Sequence, residues 1–238
     1  MSKGTKRVEA VERALVLLDV FKEGKTSLTL TELANRTGYY KSTVLRMMST
    51  LEHYGYVSRS SKGAYRLGVS IFHLSLLYKR SFDVEGIIRP TLHKLVEATN
   101  ETAAYYVRVG EQRLCQYRVN SPRSARHHLE EGSLLAVTRG ATGHVLMAFD
   151  KPKNQREQDA PIRERGYHVS LGERDPDVAA VAVPVLDGEG VAYGALSVSG
   201  LRSRYDEQKR EQALVHLRRE AAALSLALQK HDVEAGDS

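Results

Sequence analysis

TLTELANRTGYYKSTVLRMMSTLEHYGYVSRSSKGAYRLG, residues Thr29 to Gly68, has the pattern of two short helices followed by a hairpin. Thr29, with Glu32 three positions on, forms a capping box, in which each side chain satisfies an orphaned N–H at a helix start. Leu30, Leu33 and Ala34 share the inner side of that helix, and Gly38 supplies the tight turn after it. A second helix is expected from Lys41 to Tyr54. At roughly 100° per residue, Val44, Met47, Met48 and Leu51 fall on one face. Ser42, Arg46, Ser49 and His53 fall on the other, and Gly55 ends the helix. Tyr56-Val57-Ser58-Arg59 and Ala64-Tyr65-Arg66-Leu67 then alternate around Ser60-Ser61-Lys62-Gly63, a hairpin signature. Helix, turn, helix and hairpin make a winged helix-turn-helix. The outer face of the second helix is polar and basic, as a helix entering the major groove requires, because an Arg fork matches a guanine edge. The expected partner is double-stranded operator DNA. Arg46 is expected on a base edge, Ser42 and Thr43 on phosphate or base, and Lys41, Arg59 and Lys62 on the backbone. Thr29 joins them from the start of the first helix.

Charge supports this partner. The formal net charge is +6. Residues 1–80 hold 14 Lys and Arg against 6 Asp and Glu, whereas residues 81–238 hold 21 against 23. Basic charge is thus concentrated around the helix-turn-helix, the footprint of a polyanion binder that releases counterions from phosphates. Cys115 is the one cysteine. It excludes a disulfide framework and a thiolate-rich zinc site and fits a reducing cytoplasm. The basic start and the apolar stretch after it are interrupted by Glu9, Glu12, Arg13 and Asp19, so no signal peptide is expected. No apolar run reaches membrane-spanning length, so no membrane partner is expected.

Outside the motif, Val11, Ala14, Leu15, Leu18 and Phe21 form one stripe of an N-terminal helix. Val16, Leu17 and Val20 lie off it and are expected at a subunit interface, because a helix apolar on two sides needs a partner. Val69 to Arg80 reads as a linking helix. Asp83 and Val84 open another, running to about Thr99, with Pro90 marking a kink or its true start. Strands are expected at 103–109 and 113–119 around Gly110-Glu111, then at 167–170, 178–186 and 191–198, with Leu134 to Phe149 helical in its later part. A long helix closes the chain through Leu214, Leu217, Ala221, Leu224 and Leu228. The pattern is α+β, with antiparallel hairpins and terminal helices. The expected organisation is a winged helix-turn-helix domain at 1–68, a helical linker at 69–82, a second domain at 83–231 and a loose tail at 232–238.

Lys41-Ser42-Thr43-Val44-Leu45-Arg46, Leu51-Glu52, Gly55-Tyr56-Val57 and Tyr65-Arg66-Leu67-Gly68 stand in the order and spacing of the IclR family of bacterial transcription regulators, which this chain resembles. The resemblance continues through Gly140-Ala141-Thr142-Gly143-His144-Val145-Leu146, Arg163 to Ser170 with Gly172-Glu173, Val181 to Val185, and Ala195 to Gly200. Leu201 replaces the family's Pro, and His144 replaces its usual Lys. Between Phe149 and Arg163 the chain is shorter than is common in the family, which bears on how a pocket would be covered. The resemblance implies a GAF-like effector-binding second domain and assembly as a homodimer or tetramer. It implies effector contacts from Leu135, Ala141 and Thr142, from Ala180, and from Ser197 and Ser199. Ser124 and His127 lie in the segment that it makes a pocket wall.

The residues agree in part. A helix N-terminus at Ala141 and Thr142 presents unpaired N–H groups suited to a carboxylate. Ser197 and Ser199 are two apart on a strand, so their hydroxyls share a side. Either hydroxyl facing solvent or bonding to backbone is the plainer alternative. The effector expected is a small organic, carboxylic acid. His127-His128 is read as an exposed loop pair that would point opposite ways on a strand, a poor metal site. No metal or cofactor is expected. Cys115 sits in an apolar strand pattern and reads as structural. The chain lacks G-x-S-x-G, Walker and H-E-x-x-H motifs, so no catalysis is expected. The leading reading is an effector-responsive transcription regulator. An architectural DNA-binding protein whose second domain only oligomerises is the alternative, and an enzyme with an appended helix-turn-helix ranks third.

Overall fold

The computed structural model describes residues 7–81 and 84–236 and divides into two compact units, Met1–Phe82 and Asp83–Ser238. The basic start through Lys6 and the helix opening expected at Asp83 lie outside the described residues.

The first unit runs α1 (Glu9–Asp19), a 3-10 turn (Val20–Glu23), α2 (Leu30–Thr37), α3 (Lys41–His53), β1 (Val57–Arg59), β2 (Tyr65–Leu67) and α4 (Val69–Ser81). Thr29 caps α2 as its spacing predicts: its hydroxyl accepts from the Glu32 amide at 3.2 Å, and the Glu32 carboxylate accepts from the Thr29 amide at 2.8 Å. Lys25, then the Thr29 amide and hydroxyl, hold the Glu32 carboxyl down at about 2. Gly38 takes φ +72°, a left-handed conformation that turns the chain from α2 into α3 without a Cβ clash. Leu17, Val20 and Phe21 pack with Leu33, Val44, Met48, Val57 and Tyr65 to form this unit's core. This corrects the N-terminal helix. Leu17 and Val20 turn inward, while Val8, Val11, Leu15 and Val16 form the exposed apolar side. The 3-10 turn extends the helical path through Val20 and Phe21 and draws the end of that face into the core.

The second unit runs α5 (Glu85–Thr99), β3 (Thr102–Val109), β4 (Gln112–Val119), β5 (Leu134–Ala136), α6 (Ala141–Ala148), two 3-10 turns (Pro152–Asn154 and Glu157–Asp159), α7 (Ala160–Arg165), β6 (His168–Leu171), β7 (Val178–Leu186), β8 (Ala192–Leu201) and α8 (Glu207–Gly236). The six strands form one antiparallel sheet in the order β5-β4-β3-β8-β7-β6. α5 begins five residues before Pro90, so the proline lies inside the helix rather than starting it. α8 stays helical through 232–236, where the sequence predicts a loose tail, because no proline or glycine interrupts it before Gly236.

Period-two alternation gives the sheet two unlike faces. Tyr105, Val181, Val183, Val185, Leu196 and Val198 point to one side and bury Ile88, Leu92 and Leu95 of α5 with Ala213, Leu217 and Leu224 of α8. Ala104, Ala182 and Ala195 point to the other and pack under Ala141, Val145 and Leu146 of α6. Larger apolar side chains thus carry the main core, and alanines floor the opposite side. A Cβ on Gly143 would come within 2.1 Å of the Val137 carbonyl, so a glycine is what lets α6 lie this close to the segment before it.

Candidate functional site

In the first unit, α3 exposes Lys41, Ser42, Arg46 and Ser49 and turns Val44 and Met48 fully inward. Thr43 is half-buried and borders, with Arg46, a groove between α1 and α3 of about 480 Å³. Arg59 and Lys62 are exposed on the hairpin, whose strands pair Val57 with Leu67 and Arg59 with Tyr65. The Arg59 guanidinium lies over the Tyr65 ring, 5.4 Å from its centre, so the base of the wing is braced by a buried aromatic. Thr29 is exposed, with its hydroxyl and amide both engaged in the α2 cap.

In the second unit, the small-residue face of the sheet and the N-terminus of α6 enclose a cleft of about 50 Å³. Ala141, Thr142, Ala180, Ser197, Ser199 and His127 all line it. Two of the expected residues do not. Leu135 lies on β5 and packs against the second core, because β5 pairs at the edge of the sheet, beyond β4. Ser124 is exposed in the loop between β4 and β5. His127 departs from the exposed pair expected: it is 9% accessible, while His128 is exposed. Arg118 draws His127 inward, its guanidinium lying 3.1 Å from Nε2 and donating to the His127 carbonyl at 3.3 Å.

The cleft's electrostatics come mainly from residues that the motifs did not single out. Arg113 is 3% accessible and lines the cleft. It donates to the carbonyls of Ala136, at 2.5 Å, and Arg139, pinning the segment that delivers Gly140 to the start of α6. Arg118 is 7% accessible and donates to Asn120 at 2.9 Å. Neither guanidinium pairs with a carboxylate among the described residues, and Nε of Arg113 and one terminal nitrogen of Arg118 have no hydrogen-bond acceptor. Arg174 adds a third cation from the loop after β6, with Asp175 as the acid beside it. Arginine does not deprotonate in proteins, so its burial without an anion costs several kcal/mol in order of magnitude. Burial first, then Arg118 and Arg174, push the His127 imidazole down to about 4, so it is neutral near pH 7. A guanidinium only donates, so Nε2 of His127 is the acceptor and Nδ1 carries the proton, without an acceptor of its own. Ser199 Oγ reaches the same Nε2 at 3.4 Å, and Ser197 Oγ lies 3.5 Å from the Ala104 carbonyl. The cleft therefore offers a surplus of positive charge and of donors.

These arginines have one signal in the sequence. Arg113 and Arg118 are isolated charges within the otherwise strand-like QRLCQYRV. Strict alternation assigns them opposite faces. A bulge, at which β3 advances from Tyr105 to Tyr106 while β4 advances from Tyr117 to Cys115, puts both on the side of the cleft.

A winged helix with a polar, basic outer face, in one chain with an α+β unit that holds a cationic cleft, describes a DNA-binding transcriptional regulator. Comparison with known proteins makes the assignment definite. The IclR helix-turn-helix domain matches residues 10–61, and the bacterial transcriptional regulator IclR C-terminal domain matches residues 77–160 and 156–226. The chain belongs to the IclR family, a family of transcriptional regulators rather than enzymes. It is 30% identical to the HTH-type transcriptional regulator BhcR of Paracoccus denitrificans, over 85% of this chain and 81% of that one. Its fold matches a crystal structure of an IclR-type regulator from Alicyclobacillus acidocaldarius with TM-score 0.80 and 27% identity, covering 94% of this chain and 100% of that one. It also matches an IclR homologue from Microbacterium hydrocarbonoxydans complexed with 4-hydroxybenzoate, with TM-score 0.77 and 19% identity, covering 93% and 100% of the two chains. Among the described residues, no helix is long and apolar enough to cross a membrane.

Proposed function

We propose that the operator affinity of this regulator is set by a small organic acid anion bound in the cleft between the sheet and α6. The observation that carries this reading is the pair of buried guanidinium groups, Arg113 and Arg118, without a carboxylate partner among the described residues. A carboxylate there gains the charge of Arg113 and Arg174, the amides at the start of α6 and the proton on His127 Nδ1. Ser197 and Ser199 complete its hydrogen bonds. Ala180 and Ala141 face whatever apolar body it carries. The free space is small beside the roughly 300–1,000 Å³ of ordinary ligand pockets. The effector is therefore a short acid, or one that enters as the exposed Arg174 swings outward. In this reading the winged helix occupies 1–68, α4 acts as the linker over 69–82, and the second domain at 83–231 binds effector and assembles the chain. The exposed apolar side of α1 supplies a dimer contact, and the second domain a tetramer contact.

Isothermal titration of the full chain with acetate, pyruvate and benzoate, and of Arg118→Gln with whichever binds, tests this. The same acids are added to mobility shifts on DNA sites selected from a random pool. Saturable binding that changes DNA affinity and fails in Arg118→Gln is the expected result. Sequence-specific DNA binding indifferent to every acid would favour an architectural protein whose second domain only oligomerises.

A further inference from the structure

Beside the cleft, and outside its lining, three residues from different parts of the chain converge. His144 stands on the first turns of α6, His168 opens β6, and Glu173 follows β6 in the loop that carries Arg174. Nε2 of His144 lies 2.9 Å from Glu173 Oε2, and Nε2 of His168 lies 3.7 Å from Oε1 of the same carboxylate. The two imidazole rings are 4.5 Å apart, centre to centre. One donor atom from each residue lies within 4.8 Å of the others, and all three side chains are half-buried.

We propose that His144, His168 and Glu173 bind a divalent transition-metal ion, zinc in the first place. Two imidazole nitrogens and one carboxylate oxygen are a zinc ligand set, with water left to complete a tetrahedron, whereas magnesium and calcium take oxygen donors. Tetrahedral zinc with bonds of about 2.0–2.1 Å holds its donors roughly 3.4 Å apart. The His144–Glu173 pair, at 2.9 Å, therefore opens slightly, and the wider separations close by about an ångström, which the rotation of a half-buried imidazole supplies. The carboxylate is already aimed. Its Oε2 accepts from the Gly140 amide at 2.8 Å, and Oε1 turns to His168. Such outer hydrogen bonds fix a metal-ligating carboxylate in place.

One contact opposes the metal. Arg165 donates to Nδ1 of His168 at 2.7 Å. That fixes the ring proton on Nε2, where it points at Glu173. Zinc at Nε2 requires the proton to move to Nδ1 and the exposed Arg165 side chain to swing away. Arg165 is thus a built-in competitor, and its removal has a predicted sign. Through Glu173 the ion would tie the loop after β6 to the start of α6.

The test uses the full chain, freed of any affinity tag and of metal, titrated with Zn2+ by calorimetry and with Co2+ by visible absorption. The expected result is one equivalent of tight binding, a tetrahedral cobalt spectrum and a raised melting temperature with zinc. His144→Lys places a cation beside Glu173 but removes a ligand, and His168→Gln removes the other imidazole. Each should weaken binding by roughly tenfold or more. Arg165→Ala should tighten it, and His93→Gln, exposed on α5, should leave it unchanged. Zinc X-ray absorption on the unaltered protein needs no variant and should show two imidazoles with oxygen donors. No stoichiometric binding, binding unaffected by both ligand variants, or an absorption spectrum with fewer than two imidazoles would overturn the proposal.

Discussion

The guanidinium of Arg118 lies 3.1 Å from Nε2 of His127, and both side chains are buried beside the cleft. Burial first, and then a cation against the imidazole, disfavour the imidazolium. In the unfolded chain His127 takes up a proton near its ordinary 6.5, but in the folded protein it resists down to about 4. Between those values the unfolded state binds more protons, so stability rises with pH. The His127 contribution is complete above 6.5 and lost progressively as pH falls toward 4. It is on the order of 3 kcal/mol at its fullest. His168, also pushed down, adds to the slope in the same direction. Urea melts at steps between pH 4 and 7 should show a steeper loss for the wild type than for His127→Gln. Parallel curves would mean that His127 titrates normally.

Arg46→Ala should cost about 1–3 kcal/mol of specific DNA binding and relax discrimination at one position, because a forked base contact is lost. Lys62→Ala should weaken all sequences alike and flatten the salt slope by about one, because a single phosphate contact is lost. Mobility shifts on selected and scrambled sites over a range of salt concentrations separate the two. Intact discrimination in Arg46→Ala would remove α3 as the reading helix.

Ser197→Ala with Ser199→Ala takes both hydroxyls from the cleft floor and leaves the first unit untouched. Effector-free DNA affinity should stay within about 0.5 kcal/mol of the wild type. The effector response, typically a coupling of about 1–3 kcal/mol, should vanish. A full response in the double variant would place the effector elsewhere.

Leu15 is 56% accessible and Val11 55%, four residues apart on one side of α1. An apolar strip of this kind gains stability when a second copy covers it. Leu15→Glu should shift sedimentation at micromolar concentration toward smaller species, with the melting temperature of the first unit nearly unchanged. Leu17→Glu, at a fully buried position, should instead unfold that unit. Equal assembly of Leu15→Glu and wild type would exclude this side of α1 as the contact.

Local chemistry is legible in the sequence wherever one element suffices. The Thr29–Glu32 cap, the turn at Gly38, the inward row of α3 and the wing depend on residues a few positions apart, and the structure reproduces each. The shared side of Ser197 and Ser199 follows from strand alternation alone. Other features depend on which strands pair and where a register slips. The bulge opposite Tyr105 and Tyr106 reverses the parity of β4 and brings Arg113 and Arg118 to one cleft. A 3-10 turn after α1 decides which of its two apolar sides is buried. Arg118 draws His127 inward across nine residues, and Glu173 gathers His144 and His168 from a helix and a strand. The charge and donor surplus of the second unit is therefore a property of the assembled sheet. Period counting describes one element at a time, while a buried charge takes its environment from neighbours that only folding supplies.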